Sequence, residues 1–348
     1  MIERLYFIEN HAMKALSRRQ LLQLTAGLGL ASIIPQPRQS LAGMWSQLFG
    51  EPKREISPIT SNDEFFMTSY RTPPFVPADQ WALSVRGQVN NPFTFTYPQL
   101  LAQPTISEIV TLECVGNGVA GEAIGTAEWE GVGLKSLLER AGVRTQAYDV
   151  IFHAADGYSD SLPIERAMMD DVIIAHRMNG VALPLGHGFP ARIIAPGHYG
   201  MKHVQWLTGI ELTTSDNKGY YQQKGWSDAA IVKTMSWITD PQTGDALKAG
   251  RRFIIKGLAF AGSRGIRLVE LSTNGGKTWE PAQLAPALSP FSWVLWTYNW
   301  EPSRPGDHRI LARATDGTGV LQTALEHEPF PDGASGIPET IVSIKYEI

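Results

Sequence analysis

The sequence predicts two domains in succession, an α+β domain and then an all-β sandwich of the immunoglobulin-like kind. Three observations carry this. The chain has 348 residues, 43% of them hydrophobic, which is enough for two ordinary cores. Up to residue 227, short strand-like runs are mixed with a helical one, without regular alternation of strand and helix. From residue 228 only strand-like runs follow, with turn signals between them. The 10 tryptophans and 23 prolines suit a loop-rich β architecture better than a helical bundle.

The first segment concerns destination. Residues 13–34, MKALSRRQLLQLTAGLGLASII, combine a basic start, the pair Arg18-Arg19 and a moderately apolar run from Leu21 to Ile34, with Met13 the more natural start. That run falls short of the roughly 20 residues of a membrane span, and Gln23, Thr25 and glycines dilute it. Ser40-Leu41-Ala42 supplies a small-x-small cleavage site. The order S-R-R-x-L-L resembles a twin-arginine export signal. Residues 1–42 are therefore expected to be a signal peptide, with a periplasmic mature protein and no stable membrane span after cleavage. Residues 43–60, with Pro52, Pro58 and mixed charge, read as a linker.

Residues 61–227 form the expected first domain. WALSVRGQV, from Trp81, alternates as a half-buried strand does, and Asn90-Asn91-Pro92 ends it. TISEIVTLECVG is a second strand running into a loop at Cys114. GLKSLLERAG has helical spacing at Leu134, Leu137 and Leu138, with Gly142 as its stop. DVIIAHRMNG reads as a strand with a turn at Asn179-Gly180, and two short strands flank the glycine-rich turn of ARIIAPGHYGMKHVQWLTGIEL. In residues 228–348, RRFIIKGLAF, IRLVELS, FSWVLWTYNW and HRILARATD read as sandwich strands, with a tight hairpin at Asn274-Gly275.

A formal charge of −4 argues against nucleic acid as the main partner. Cys114 is the only cysteine, so no disulfide forms within the chain. A lone thiol is an inert core residue, a redox liability or a ligand. In an oxidising compartment, burial or coordination has to protect it. Five of the eight histidines (His153, His176, His187, His198, His203) lie within about fifty residues, but without HExxH spacing, so a histidine zinc site is not expected. The stretch LGHGFPARIIAPGHYGMKHVQWL sets His187, Arg192, Lys202 and His203 among four glycines. Glycine lets backbone approach a ligand, and arginine with backbone N–H groups binds phosphate, so this stretch is a candidate anion-binding loop.

Taken in order, ECVGNG, AEWEGVGLKSLL, HRMNGVALPLGHGFPARIIAPGHYGMKHVQWL and NGGKTWEPA resemble the sulfite oxidase family of molybdopterin enzymes, from about residue 60 to near 325. The resemblance implies an α+β molybdopterin-binding domain followed by an immunoglobulin-like dimerisation domain, and hence a homodimer. It implies molybdenum with molybdopterin as the cofactor and Cys114 as the metal ligand. One protein thiolate suffices because the pterin dithiolene supplies the other sulfurs. His187 and Arg192 match the family's pterin-binding pair, with Arg192 also counted with the catalytic residues. His203, Val204 and Gln205 match a pterin-contacting stretch in which Gln205 replaces a usual lysine. Asp156 is a further candidate. Thr68, Ser69 and Tyr70 occupy the place of the Arg, Asn and His of a cofactor-contacting FFxRNH stretch. The active-site tyrosine falls at Trp226, with Tyr220 and Tyr221 close by.

Sulfite oxidases place arginines around their anion pocket, and this chain has Thr68 and Gly118 at two such positions. Arg71, Lys202 or Lys224 are the available substitutes. The function implied is oxidation of sulfite or a related small sulfur compound. Electrons then pass to a c-type cytochrome or another external carrier, since no haem is expected in this chain. Two readings stand beside it: a reductase of sulfoxides, running oxo transfer the other way, and a binding protein that has lost catalysis.

Overall fold

The computed structural model describes residues 56–346, which belong to one compact unit, Lys53–Ile348. The expected signal peptide and most of the expected linker lie outside the described residues. The first domain comprises strands β1 (Ala82–Gly87), β2 (Phe93–Thr96), β3 (Ile106–Glu113), β4 (Ile124–Gly133), β5 (Asp149–Ala154), β6 (Ser159–Pro163), β7 (Ile173–Met178), β8 (Val181–Ala182), β9 (Arg192–Ile194) and β10 (Leu207–Thr213). Its helices are α1 (Tyr97–Leu101), α2 (Leu134–Ala141) and α3 (Ile164–Ala167). One sheet runs β2-β1-β10-β5-β6, and the other runs β3-β4-β7-β8 with β9 also paired to β7. The first and last strands, β1 and β10, pair in parallel and so close the domain.

Helix α2 forms where the spacing predicts. Leu134, Leu137, Leu138 and Ala141 recur on one face and are all buried in the main core with Leu83, Val85 and Phe152. Gly142, at φ 68°, ends it in the left-handed conformation that glycine adopts without strain. The Asn179-Gly180 turn likewise has two successive positive φ values, 50° and 76°.

The second domain contains β11 (Met235–Asp240), β12 (Ala246–Lys248), β13 (Phe253–Phe260), β14 (Ile266–Ser272), β15 (Glu280–Pro281), β16 (Gln283–Leu284), β17 (Val294–Trp300), β18 (Gly306–Asp316) and β19 (Glu339–Lys345). Two sheets, β11-β13-β17-β16 and β12-β19-β18-β14-β15, enclose a core of Ile238, Ile255, Val269, Trp296, Ile310 and Val342. Gly257 makes room for the Trp296 indole, because a Cβ there would come within 2.1 Å of the ring.

Two departures from the sequence reading matter. Residues 56–60 are not a free linker: Thr60 is buried, donates its backbone N–H to the Thr126 carbonyl at 2.7 Å, and Pro58 accepts from Trp293 Nε1 at 3.1 Å. The hairpin at Asn274-Gly275 is not a two-residue turn. The positive φ values fall on Gly275 and Gly276, and β14 meets β15 only at Glu270–Leu271 and Glu280–Pro281. Between them the Asn274 side chain accepts from the N–H groups of Lys277 and Thr278, so it caps a longer loop. Trp293 is buried. It joins Val115, Ile124, Tyr199, Met201, Val232 and Phe260 in the cluster that packs the two domains together. Thr111 of β3 donates its N–H to the Phe291 carbonyl and accepts from the Trp293 N–H through its hydroxyl. The sandwich thus braces the strand that leads to Cys114.

Candidate active site

Cys114 follows directly on β3, where pairing with β4 stops at Glu113 and Ile124. The intervening loop is held from inside by Asn117, which is buried. Its Nδ2 donates to Glu113 Oε1 at 3.2 Å and to the Gly121 carbonyl at 3.1 Å, and its Oδ1 accepts from the Ala123 N–H at 3.1 Å. Cys114 adds a backbone bond to the Ala123 carbonyl at 3.0 Å. The thiol sits half-buried at the lip of this loop. Burial pushes its pKa up, while donors from the Gly116 backbone and the Thr68 hydroxyl favour the thiolate. Gly200 lies against the same turn, since a Cβ there would be 3.4 Å from the Glu113 carbonyl oxygen and 3.8 Å from the Cys114 Cα. Asn117 carried no signal in sequence beyond its place in ECVGNG.

The 185–207 stretch forms a cradle of buried groups left partly unpartnered. Arg192 is 3% exposed, donates to the carbonyls of His187 at 3.0 Å and His203 at 3.1 Å, and lies 5.0 Å over the Trp129 ring. No carboxylate pairs with it among the described residues, and burial pulls its pKa down to about 9. Its Nε has no partner. His187 donates through Nε2 to the Asn62 carbonyl at 2.8 Å, which leaves a buried Nδ1 acceptor unpaired. Gln205 Oε1 and Asp156 Oδ2 are likewise buried and unpaired. Gly188, at φ 109°, brings these together: a Cβ there would meet Arg192 Cβ at 3.0 Å and Gln205 Cβ at 3.4 Å. The Ala155 N–H donates to the Trp206 carbonyl, which ties the chain next to Asp156 to the chain next to Gln205.

Buried polar groups without partners are uncommon in folded proteins. A cation, acceptors and glycine-lined backbone gathered in one place fit a polar, anionic, hydrogen-bonding ligand such as a pterin phosphate. His203 differs. Its Nδ1 accepts from the Ala195 N–H and its Nε2 donates to the His198 carbonyl, both at 3.1 Å, so the ring is fully engaged and only backbone remains for a ligand. Val204 is buried, and its carbonyl accepts from Ile193.

Near Cys114, Phe65 anchors its segment by meeting Trp129 and His187 edge-on. Thr68 and Ser69 are exposed, and Tyr70 turns back to contact Tyr220 at 4.5 Å between ring centres. Tyr221 lies within electrostatic reach of Cys114. Burial first, then the charges of Cys114, Tyr220, Asp156 and Tyr70, push its hydroxyl up to about 12. Trp226 meets Tyr221 at 6.4 Å on one side and Phe330 at 5.3 Å on the other. Phe330 comes from the second domain, far along the chain from Trp226, so no local signal marked it.

The three substitute cations separate. Lys202 is 2% exposed and bonded to Asp160 at 2.8 Å and to the Ser161 carbonyl at 2.9 Å, so it is not available to a substrate. Arg71 and Lys224 are exposed and lie over the Tyr70 and Tyr220 rings at 4.8 and 5.6 Å. Gly118 has no atom within 4 Å of where a Cβ would stand. Among the described residues no three His, Cys, Asp or Glu side chains converge, so a metal at Cys114 needs donors from outside the protein.

Comparison with known proteins gives first the class and then the family. Residues 70–221 match the oxidoreductase molybdopterin-binding domain, and residues 229–327 match the Mo-co oxidoreductase dimerisation domain. The chain is 30% identical over 324 residues to mitochondrial sulfite oxidase of Rattus norvegicus, covering 78% of this chain and 59% of the rat protein. It is 28% identical over 312 residues to sulfite oxidase of Gallus gallus, covering 76% and 68%, and 29% identical over 301 residues to NADH nitrate reductase of Solanum lycopersicum, covering 68% and 33%. The sulfane dehydrogenase SoxCD of Paracoccus pantotrophus shares the fold, with a TM-score of 0.72, 23% identity and 84% coverage of each chain. The chain spans a little over half the length of the mitochondrial sulfite oxidases it matches.

The chain belongs to the sulfite oxidase family of molybdopterin-dependent oxidoreductases. Its cofactor is molybdenum with molybdopterin, and its second domain is a dimerisation domain.

Proposed function

We propose that this protein is a periplasmic molybdenum-dependent oxidoreductase that oxidises a small sulfur compound by oxo transfer and passes electrons singly to a c-type cytochrome. The observation that carries the reading is the single thiol of Cys114, held at the end of β3 by the buried Asn117. When bound, the cofactor supplies two-electron oxo-transfer chemistry. The chain's own groups do the rest. Cys114 offers the soft sulfur ligand; burial raises its pKa, and the Gly116 backbone and Thr68 hydroxyl oppose that in part. Arg192 neutralises anionic charge, while His187 Nδ1, Gln205 Oε1 and Asp156 Oδ2 receive ligand N–H groups. The carbonyl-braced backbone at 203–205 sets the floor. Tyr221, within electrostatic reach of Cys114, and Trp226 beside it would border a substrate there.

The periplasmic reading rests on Arg18-Arg19 and the short apolar run behind them. Accumulation of full-length precursor in the cytoplasm when both arginines become lysine is the expected result, and normal export would remove it. The enzymatic reading is tested by Cys114→Ser, which swaps a soft thiolate for a hard, mostly protonated hydroxyl of similar size. Pterin content should persist while sulfur-compound oxidation with ferricyanide or cytochrome c falls by orders of magnitude. Near-normal turnover would show that Cys114 is not the ligand. Dye-driven reduction of sulfoxides, without the oxidative reaction, would reverse the assigned direction.

A further inference from the structure

The dimerisation domain reaches into the neighbourhood of Cys114 through the segment between β18 and β19. Gln322, 4% exposed, pins its base: Oε1 accepts from the Ser236 hydroxyl at 2.9 Å and the Ala314 N–H at 3.0 Å, and Nε2 donates to the Gly336 carbonyl at 2.8 Å. His327 and Ser335 exchange backbone hydrogen bonds at 2.9 and 3.1 Å and close the loop on itself. The loop is then tied to the far side by Ser227 N–H to the Pro331 carbonyl at 2.9 Å, and by Lys233 Nζ to Asp332 and the Gly333 carbonyl, both at 2.8 Å. Gly336 rests against Val119 of the Cys114 loop, where a Cβ would meet Val119 Cγ2 at 3.3 Å. A segment so anchored presents the same face each time.

Among the exposed Glu326, Glu328 and Asp332 of that segment, Phe330 presents an aromatic ring. Phe330 is 51% exposed and meets Trp226 edge-on at 5.3 Å. It lies over Gly225, whose φ of 91° and missing Cβ leave the ring its place, since a Cβ would stand 3.2 Å from it. Val119, against Gly336, is exposed as well. Thr68 and Gly118 carry no charge, Lys202 is consumed by Asp160, and the two exposed cations, Arg71 and Lys224, stand over the Tyr70 and Tyr220 rings rather than over Phe330. Placing a bare dianion against the Phe330 and Trp226 rings costs desolvation that the rings do not offset. An apolar body gains from burial there, and sulfur packs well on aromatic rings.

We propose that Phe330, with Trp226, is a specificity-determining residue, and that the substrate is a thioether with an apolar organic body rather than an inorganic oxyanion. This rests on the oxidoreductase reading above. In the balanced reaction, one thioether and one water give one sulfoxide, two protons and two electrons. A sulfur–oxygen bond forms, water gives up both protons, sulfur is oxidised by two electrons, and the external one-electron carrier is reduced twice.

The test uses the cofactor-loaded dimer with methyl phenyl sulfide and sulfite as probes. Phe330→Ala should lower the ratio of kcat/KM for the sulfide over that for sulfite by about tenfold, mainly through KM, and Phe330→Tyr should restore it. Calorimetric binding of methyl phenyl sulfide should weaken in parallel. Should the alanine variant fail to fold, as judged by its melting temperature and dimer mass, Phe330→Leu removes the ring and keeps the apolar bulk. A ratio and affinity unchanged in the folded variant, or a wild-type preference for sulfite, overturns this inference and leaves the oxidoreductase reading standing. No oxidation of either probe by molybdenum-replete protein overturns the reading beneath it.

Discussion

Arg192 and Lys202 lie ten residues apart in one glycine-rich stretch, and both are almost fully buried, at 3% and 2% exposure. Their surroundings differ in kind. Lys202 faces the Asp160 carboxylate at 2.8 Å, which also accepts from Tyr158, Gln222 and the Ser161 N–H. Arg192 has two backbone carbonyls, one aromatic face and an unpaired Nε. A buried cation is tolerable only when countercharge reaches it. Lys202 has its countercharge within the chain, so it is a pillar of the fold. Arg192 finds no carboxylate among the described residues, as a group that takes its countercharge from a ligand would, and that distinguishes it from a structural cation of equal burial.

The comparison can be broken most severely at Lys202. Lys202→Met strands the Asp160 carboxylate, 0% exposed, and should destabilise the protein by about 3–5 kcal/mol in urea unfolding. Adding Asp160→Leu should recover most of that loss. A single variant as stable as wild type would show that the pair is not structural.

Arg192→Met should behave in the opposite way. Loss of the guanidinium removes charge-assisted bonds to the ligand worth about 1.5–3 kcal/mol each, so molybdenum and pterin content of the purified protein should drop at least tenfold. In the cofactor-free protein, relief of the buried charge offsets the two abandoned carbonyls, and unfolding should shift by only about 1 kcal/mol. Full cofactor content in this variant would refute the assignment.

The smallest effect sharpens the contrast at the exposed rim. Thr68→Arg adds a solvated cation near Cys114, worth about 1 kcal/mol, and should lower the KM for sulfite about fivefold at low ionic strength. Gly118→Arg, which has open space and leaves the Thr68 donor to Cys114 in place, should do the same. Unchanged constants in both would place the substrate anion elsewhere, near Arg71 or Lys224.

Much of this was legible along the chain because the signals are local. Alternation at Trp81–Val89 and the i, i+3, i+4, i+7 leucine and alanine face of α2 need only neighbours to be read. Cys114, His187 and Arg192 stood out by motif, and the change of character near residue 228 is visible in the run of strand-like segments that follows it. The Asn274-Gly275 pair misled because a dipeptide cannot show that Asn274 caps a longer loop.

The sequence by itself determined the elements, their order, the lone thiol and the glycine-lined basic stretch, since each depends on residues a few positions apart. Only the tertiary structure decided what the buried groups do. Lys202 meets Asp160 from 42 residues away, His203 spends both ring nitrogens on backbone, Asn117 turns inward to hold the Cys114 loop, and Phe330 arrives beside Trp226 from another domain. Countercharge and hydrogen-bond satisfaction are properties of space rather than of spacing. A basic residue in a loop therefore has no assigned role until its neighbours in the fold are known.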